Sequence, residues 1–148
     1  MPIGSENALL IQWNDAWRVG NAAIDYDHQM LVNITNQLWD LKEQSRVTHA
    51  DVSRILGQLV DYVKRHFKRE EEIFMASDYP LKASHKAMHA ELTKVVEDIA
   101  KVYDKDPELL DLDEIMDFLK RWLMDHIVKH DMGYREYILN DSKKRSAA

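Results

Sequence analysis

Cysteine is absent from the chain, which excludes disulfides, thiolate metal sites and thiol catalysis together. Glycine and proline are scarce, four and three among 148 residues, so the backbone has few natural interruptions. That favours a few long helices over many short strands. No apolar run reaches the roughly 18 residues of a membrane span, and the first residues lack the pattern of a secretory leader. The expectation is a soluble cytoplasmic protein with no membrane role. Excess positive charge is missing too: a net charge of −6 offers no basic stripe for nucleic acid. No repeat of 20 to 50 residues is visible, and no low-complexity tract beyond the tail.

What the chain does have is ordinary globular material, 45% apolar and 31% charged, enough for one domain over residues 1–148 with a substantial core. Residues 1–23 show no sustained period, but Trp13 and Trp17 are costly to leave in water, so this arm is expected to pack across the domain. Helical spacing begins at Ile24 and continues through His28, Leu31, Thr35 and Leu38 to about Gln44. The stretch SRVTH reads as a turn, with Thr48 as N-cap of a second helix. On that helix Val52, Ile55, Leu59, Val63, His66, Glu70 and Ile73 share a face, up to a stop near Pro80. A third helix carries His85, Met88, His89, Leu92, Val96 and Ile99 in one stripe. Asp106-Pro107 breaks it and is expected to cap the fourth, which aligns Leu112, Ile115, Leu119, Trp122 and His126. The fold expected is all-α, an up-down-up-down four-helix bundle over 24–132 with the N-terminal arm. In the segment 133–148, YREYILN suggests a short C-terminal helix and KKRSAA a disordered end.

Each apolar stripe is interrupted by residues able to ligate a metal: His28 on the first, His66 and Glu70 on the second, His85 and His89 on the third, His126 on the fourth. One histidine on an apolar face is most often a core-edge residue bonded to a carbonyl or water, and H-x-x-x-E or H-x-x-x-H arises readily by chance. The conjunction is what carries information. In an antiparallel bundle these residues can lie at one level, where unpaired imidazole nitrogens would be costly. A metal satisfies them together. Neutral imidazole suits iron, zinc, copper or nickel, with carboxylates compensating the charge. Five imidazoles, Glu70 and one further carboxylate exceed the complement of a tetrahedral zinc. They fit two metals bridged by carboxylates, with a position left for an exogenous ligand. Glu70 is the bridging candidate because Glu71 and Glu72 lie off the His66 face.

The chain resembles the hemerythrins, and among them the single-domain bacterial ones. The resemblance rests on IDYDHQML around His28, HFKREEEIF with His66 and Glu70, HKAMH with His85 and His89, and WLMDHIVKHD with His126 and Asp131. It spans about residues 10 to 140, and the ordered set of H, HxxxE, HxxxH and HxxxxD is specific where its parts are not. The resemblance implies a non-haem di-iron centre that binds dioxygen reversibly without enzymatic turnover: two iron ions, Fe2+ or Fe3+, with an oxo or hydroxo bridge. His85, His89 and His126 would hold one iron and His28 and His66 the other, which keeps the open position. Glu70 and Asp131 would bridge them. An apolar wall from Trp122, Leu123, Ile127 and Leu31 would line the oxygen pocket and limit water entry. Expected partners are dioxygen and an oxygen-consuming enzyme, with the protein itself a monomer. Asp27 stands where the family commonly has Gln, either facing solvent or behind an iron ligand, where a carboxylate orients an imidazole. His49 is expected on the surface. A peroxidase, oxidase or nitric-oxide-handling activity of the same site is the alternative function. A ferritin-like oxidase would instead require Glu-x-x-His pairs, and no Glu-x-x-His occurs in the sequence. A bundle holding another metal, or none, is the third reading.

HIVKHD, residues 126 to 131, is where helix geometry and resemblance disagree. On a regular helix residues four apart lie about 40° apart around the axis and residues five apart about 140°, which pairs His126 with His130. The family pattern pairs His126 with Asp131, and then the helix must loosen around 127 to 132 as a π-bulge or a frayed end near Gly133. The two pairings separate experimentally: His130→Ala should keep both irons by elemental analysis, and Asp131→Ala should lose iron or its oxygen chemistry. The reverse result restores the regular-helix pairing.

Overall fold

The computed structural model describes residues 9–44 and 47–147. The first eight residues of the expected arm, Ser45 and Arg46 of the SRVTH turn, and Ala148 lie outside them. Four long helical segments form the bundle. The first, α1, runs Ala22–Glu43 and starts two residues before the periodicity does, because the Asn21 side chain accepts from the backbone N–H groups of Ala23 and Ile24. Helix α2, His49–Met75, is capped by Thr48, whose Oγ1 accepts from the Asp51 N–H at 3.1 Å. It ends where Ser77 Oγ donates to the Phe74 carbonyl at 2.6 Å, just ahead of Tyr79-Pro80. Helix α3 spans Lys82–Lys105 and α4 spans Leu112–Met124. Helix α2 packs against both α1 and α3, and α4 closes on α1. Among the described residues no helix is long and apolar enough to cross a membrane.

Two expectations need correction. Asp106 makes no side-chain cap; Pro107 instead opens a 3-10 turn, Pro107–Leu109, and α4 is capped by Asp111, whose Oδ1 accepts from the Asp113 N–H at 2.8 Å. Fixed φ suits Pro to a first turn of either kind, so the proline marks a start but of the wrong helix. The C-terminal segment is also more ordered than its composition suggests. Helix α5, Arg135–Ala147, carries through most of KKRSAA. Lys144 Nζ meets Asp78 Oδ2 at 3.3 Å and Arg145 Nε donates to Asp141 at 2.8 Å.

The described part of the arm, from residue 9 on, packs on the bundle as expected. Trp13 and Trp17 meet edge to face, ring centroids 5.5 Å apart, and lean half-buried on the main core. The Ile11 N–H donates to Asn36 Oδ1 and Asn36 Nδ2 donates back to the Ile11 carbonyl, both at 2.9 Å. At the turn into α1, Gly20 takes φ +89°, and a Cβ there would sit 2.7 Å from Leu139 Cδ2, so only glycine lets arm, α1 and α5 meet.

The interior has two apolar clusters. The larger gathers Leu31, Leu38, Leu56, Leu59, Phe67, Leu119, Trp122, Leu123 and Ile127. The smaller gathers Val19, Ile24, Phe74, Tyr79, Tyr134 and Ile138. Each fully buried aliphatic contributes about 1.5–3 kcal/mol. Asn36→Ala strips two backbone groups of their partners at a buried position, so it should cost about 1–3 kcal/mol in urea unfolding and speed amide exchange at Ile11.

Candidate metal centre

His28 comes from α1, His66 and Glu70 from one face of α2, His85 and His89 from α3, and His126 and Asp131 from the stretch after α4. That last stretch is not α-helical. Asp125–His130 is a π-helical turn, in which the Asp131 N–H donates to the His126 carbonyl five residues back. A 3-10 turn, Asp131–Tyr134, follows. The widened turn brings residues five apart onto one side, so His126 and Asp131 both reach the interior while His130 is exposed. The loosening begins two residues earlier than 127, and Gly133 lies in the tighter turn after it.

The seven side chains converge in two overlapping groups: Glu70, His85, His89, His126 and Asp131 in one, His28, His66, Glu70 and Asp131 in the other, the donor atoms of each within 4.8 Å of one another. The carboxylates belong to both. Glu70 Oε1 faces His85, His89 and His126 Nε2 at 3.6, 3.4 and 3.8 Å. Glu70 Oε2 faces His28 Nε2 at 3.5 Å and is in contact with His66 Nε2. Asp131 touches both sets without dividing them: Oδ1 lies 3.1 Å from His85, and Oδ2 lies 2.8 Å from His28 and 3.1 Å from His126. Glu70 and Asp131 are 0% exposed, and the five inward Nε2 atoms and four carboxylate oxygens have no hydrogen-bond partner. Converging orphaned donor atoms of this kind fit metal ions and little else that a dry core offers.

Outer partners orient the rings. His66 Nδ1 meets Asp27 Oδ2 at 3.1 Å, His89 Nδ1 meets Glu71 Oε2 at 2.8 Å, and His85 Nδ1 meets the Tyr79 hydroxyl at 3.1 Å. A neutral ring that donates outward from Nδ1 carries its Nε2 lone pair inward, the tautomer a metal requires. Of the two positions open to Asp27, the structure selects the one behind an imidazole of the cluster, that of His66. Phe67 stacks on His89, centroids 3.8 Å apart and planes within 1°, and Trp122 lies parallel to His126 at 6.1 Å. Leu31, Trp122, Leu123 and Ile127, the expected pocket wall, are all buried in the larger apolar cluster. His49 is exposed, its ring stacked on Tyr103 at 5.2 Å.

Burial holds His126 neutral, its pKa lowered to about 3, lowers His85 to about 4, and lowers His28 as well. Neutral imidazole is the form that binds metal. Burial opposes charge on His66 too, but the Glu70 carboxylate and Asp27 outweigh it and raise the group to about 9. Burial would raise Glu70, yet the charge on His66 holds it well below the usual carboxylate range. Asp131 is pushed well up by burial and by the adjacent Glu70 charge.

Comparison with known proteins agrees with this geometry. The sequence model of the hemerythrin HHE cation binding domain matches residues 19–138. The chain belongs to the hemerythrin family. It is 30% identical over 131 residues to a bacteriohemerythrin of Stenotrophomonas maltophilia, covering 88% of this chain and 82% of that protein. A bacteriohemerythrin of Clostridium acetobutylicum is 32% identical over 131 residues, covering 85% and 97%. The crystal structure of a wild-type hemerythrin superposes with a TM-score of 0.77 at 28% identity, over 87% of this chain and 98% of that one. The buried His/Glu/Asp cluster is thus a metal site of hemerythrin type.

Sequence reasoning missed the outer partners Glu71, Tyr79, Tyr62 and Arg69. Glu71 lies off the inward face of α2, and that direction takes it to the back of His89. Tyr79 sits in the SDYP stop, where nothing periodic signals its contact. The EEE run supplies a sharp test. Glu70→Ala should lower metal affinity by at least about 100-fold, beyond what loss of an outer partner costs, while the exposed Glu72→Ala should leave it unchanged in a chelator-competition titration.

Proposed function

We propose that this chain binds dioxygen reversibly at a di-iron centre, as a single-domain, monomeric, cytoplasmic protein serving oxygen storage, delivery or sensing rather than catalytic turnover. One observation carries the reading: the imidazoles divide unequally about the two oxygens of Glu70. Three histidines, His85, His89 and His126, face one oxygen of Glu70, and two, His28 and His66, face the other. Two metals held this way differ by one protein ligand, and the poorer side is where an exogenous molecule binds. When bound, the iron pair supplies that position together with two electrons that can be lent and recovered.

The remaining work falls to the protein. His85, His89 and His126 would hold one iron, His28 and His66 the other, and Glu70 and Asp131 would span both. A donor set of five imidazoles and two carboxylates carries little negative charge, so it supports strongly oxidising states less well than a carboxylate-rich set. That favours binding over oxidation chemistry. Leu31, Trp122, Leu123 and Ile127 would keep water and protons from the bound oxygen. Phe67 and Trp122, stacked on His89 and His126, hold these rings against rotation.

The test is optical. Protein loaded with ferrous iron should develop a visible charge-transfer band on exposure to oxygen and lose it under argon, through repeated cycles. Irreversible bleaching with consumption of a reductant supports the peroxidase or oxidase alternative. Absence of any band, with stoichiometric zinc, sinks the iron reading altogether.

A further inference from the structure

Asp27 is 2% exposed and more heavily engaged than any other group around the cluster. Its Oδ2 lies 3.1 Å from His66 Nδ1. The Tyr62 hydroxyl donates to Oδ1 at 2.9 Å, and Arg69 Nη1 donates to Oδ1 and Oδ2 at 2.9 and 3.0 Å. The other imidazoles are treated differently. His89 has a carboxylate, Glu71, with no cation on it among the described residues. His85 has a neutral phenol, and the Nδ1 atoms of His28 and His126 have no partner. His66 alone is backed by a carboxylate that is itself held by a guanidinium and a phenol.

A carboxylate that accepts the Nδ1 proton makes the imidazole a stronger donor through Nε2. A cation or phenol bonded to that carboxylate draws off negative charge and weakens the pull. We propose that Asp27 is a positioning residue that sets how strongly His66 donates electrons to its metal, with Arg69 and Tyr62 moderating it in the opposite direction. The inference rests on the di-iron reading above. Arg69 lies three residues after His66 on α2, with 46% of its side chain exposed, so the moderating charge stands at the surface and its target is buried. Stronger donation favours ferric over ferrous iron, and the Asp27–Arg69 pair fixes that preference on the side of the site with fewer histidines.

The sign of the effect distinguishes tuning from mere support. The midpoint potential of the iron pair, measured spectroelectrochemically under argon, requires no oxygen binding. Asp27→Asn should raise it, shifting the ferric-to-ferrous ratio at a fixed potential by about tenfold, comparable to the smallest effect that losing an outer partner has on metal affinity or activity. Arg69→Met should lower it, and Tyr62→Phe should lower it by less. If Asp27 merely props the bundle, Asp27→Asn and Arg69→Met both loosen the same site and move the potential in one direction or not at all, which overturns the proposal. Should Asp27→Asn fail to load two metals, Arg69→Met decides alone: a raised or unchanged potential overturns it. The zinc-loaded protein gives a readout without iron, since the His66 Nδ1 proton resonance should move upfield in Asp27→Asn and downfield in Arg69→Met. Loss of the reversible oxygen band in the unmodified protein overturns the proposed function and leaves this ordering of potentials to stand or fall by itself.

Discussion

Two carboxylates and five imidazoles share a dry interior, and the rest of the structure answers to that constraint. Burying even one ionised carboxylate costs several kcal/mol after relaxation, and Glu70 and Asp131 are wholly enclosed. Among the described residues only the imidazoles face their oxygens. A bundle core accepts such a cluster when cationic charge stands at its centre, which is why a metal site and not a hydrogen-bond network accounts for it.

Holding donor atoms within a few ångströms against their mutual unsuitability demands rigid surroundings. The aromatic residues provide much of it. Phe67 from the larger apolar cluster lies flat on His89, while Phe74 from the smaller one approaches the same ring at 5.9 Å and His85 at 4.8 Å. His89 therefore sits between the two apolar clusters, and neither can repack without disturbing it. The outer hydrogen bonds from Asp27, Glu71 and Tyr79 fix ring rotation and tautomer for three of the five imidazoles. In this way apolar packing and polar satisfaction meet at the same side chains.

The π turn at Asp125–His130 shows the same constraint acting on the backbone. A regular α-helix forms its hydrogen bonds four residues apart and would have turned His130, not Asp131, inward. A metal site here needs a second carboxylate more than another imidazole, because positive charge at its centre requires compensation. The local cost of a widened turn is met by the coordination and packing that it makes possible. Gly20 records a similar concession just before α1, where a φ of +89° and the close approach of Leu139 favour a residue without a side chain.

Helix number, extents to within a few residues, the Thr48 cap and the inward faces were legible in the sequence, because a 3.6-residue apolar period and capping chemistry are local properties. So was the convergence of His28, His66, Glu70, His85, His89 and His126, since each interrupts an apolar stripe and buried polar groups must find partners. Asp131 was legible through the family pattern, not through helical geometry. Other features belonged to tertiary structure. Asp106 lost the cap to Asp111 through the detailed path of the α3–α4 turn, and most of the KKRSAA end, up to Ala147, became helical as an extension of α5, neither of which leaves a periodic mark. The outer partners Tyr62, Arg69, Glu71 and Tyr79 lie off the stripes, in directions where polar residues are ordinary, and the choice between the two positions open to Asp27 was settled there too. What they touch depends on how neighbouring helices are rotated and spaced, and side-chain packing across the whole bundle decides that.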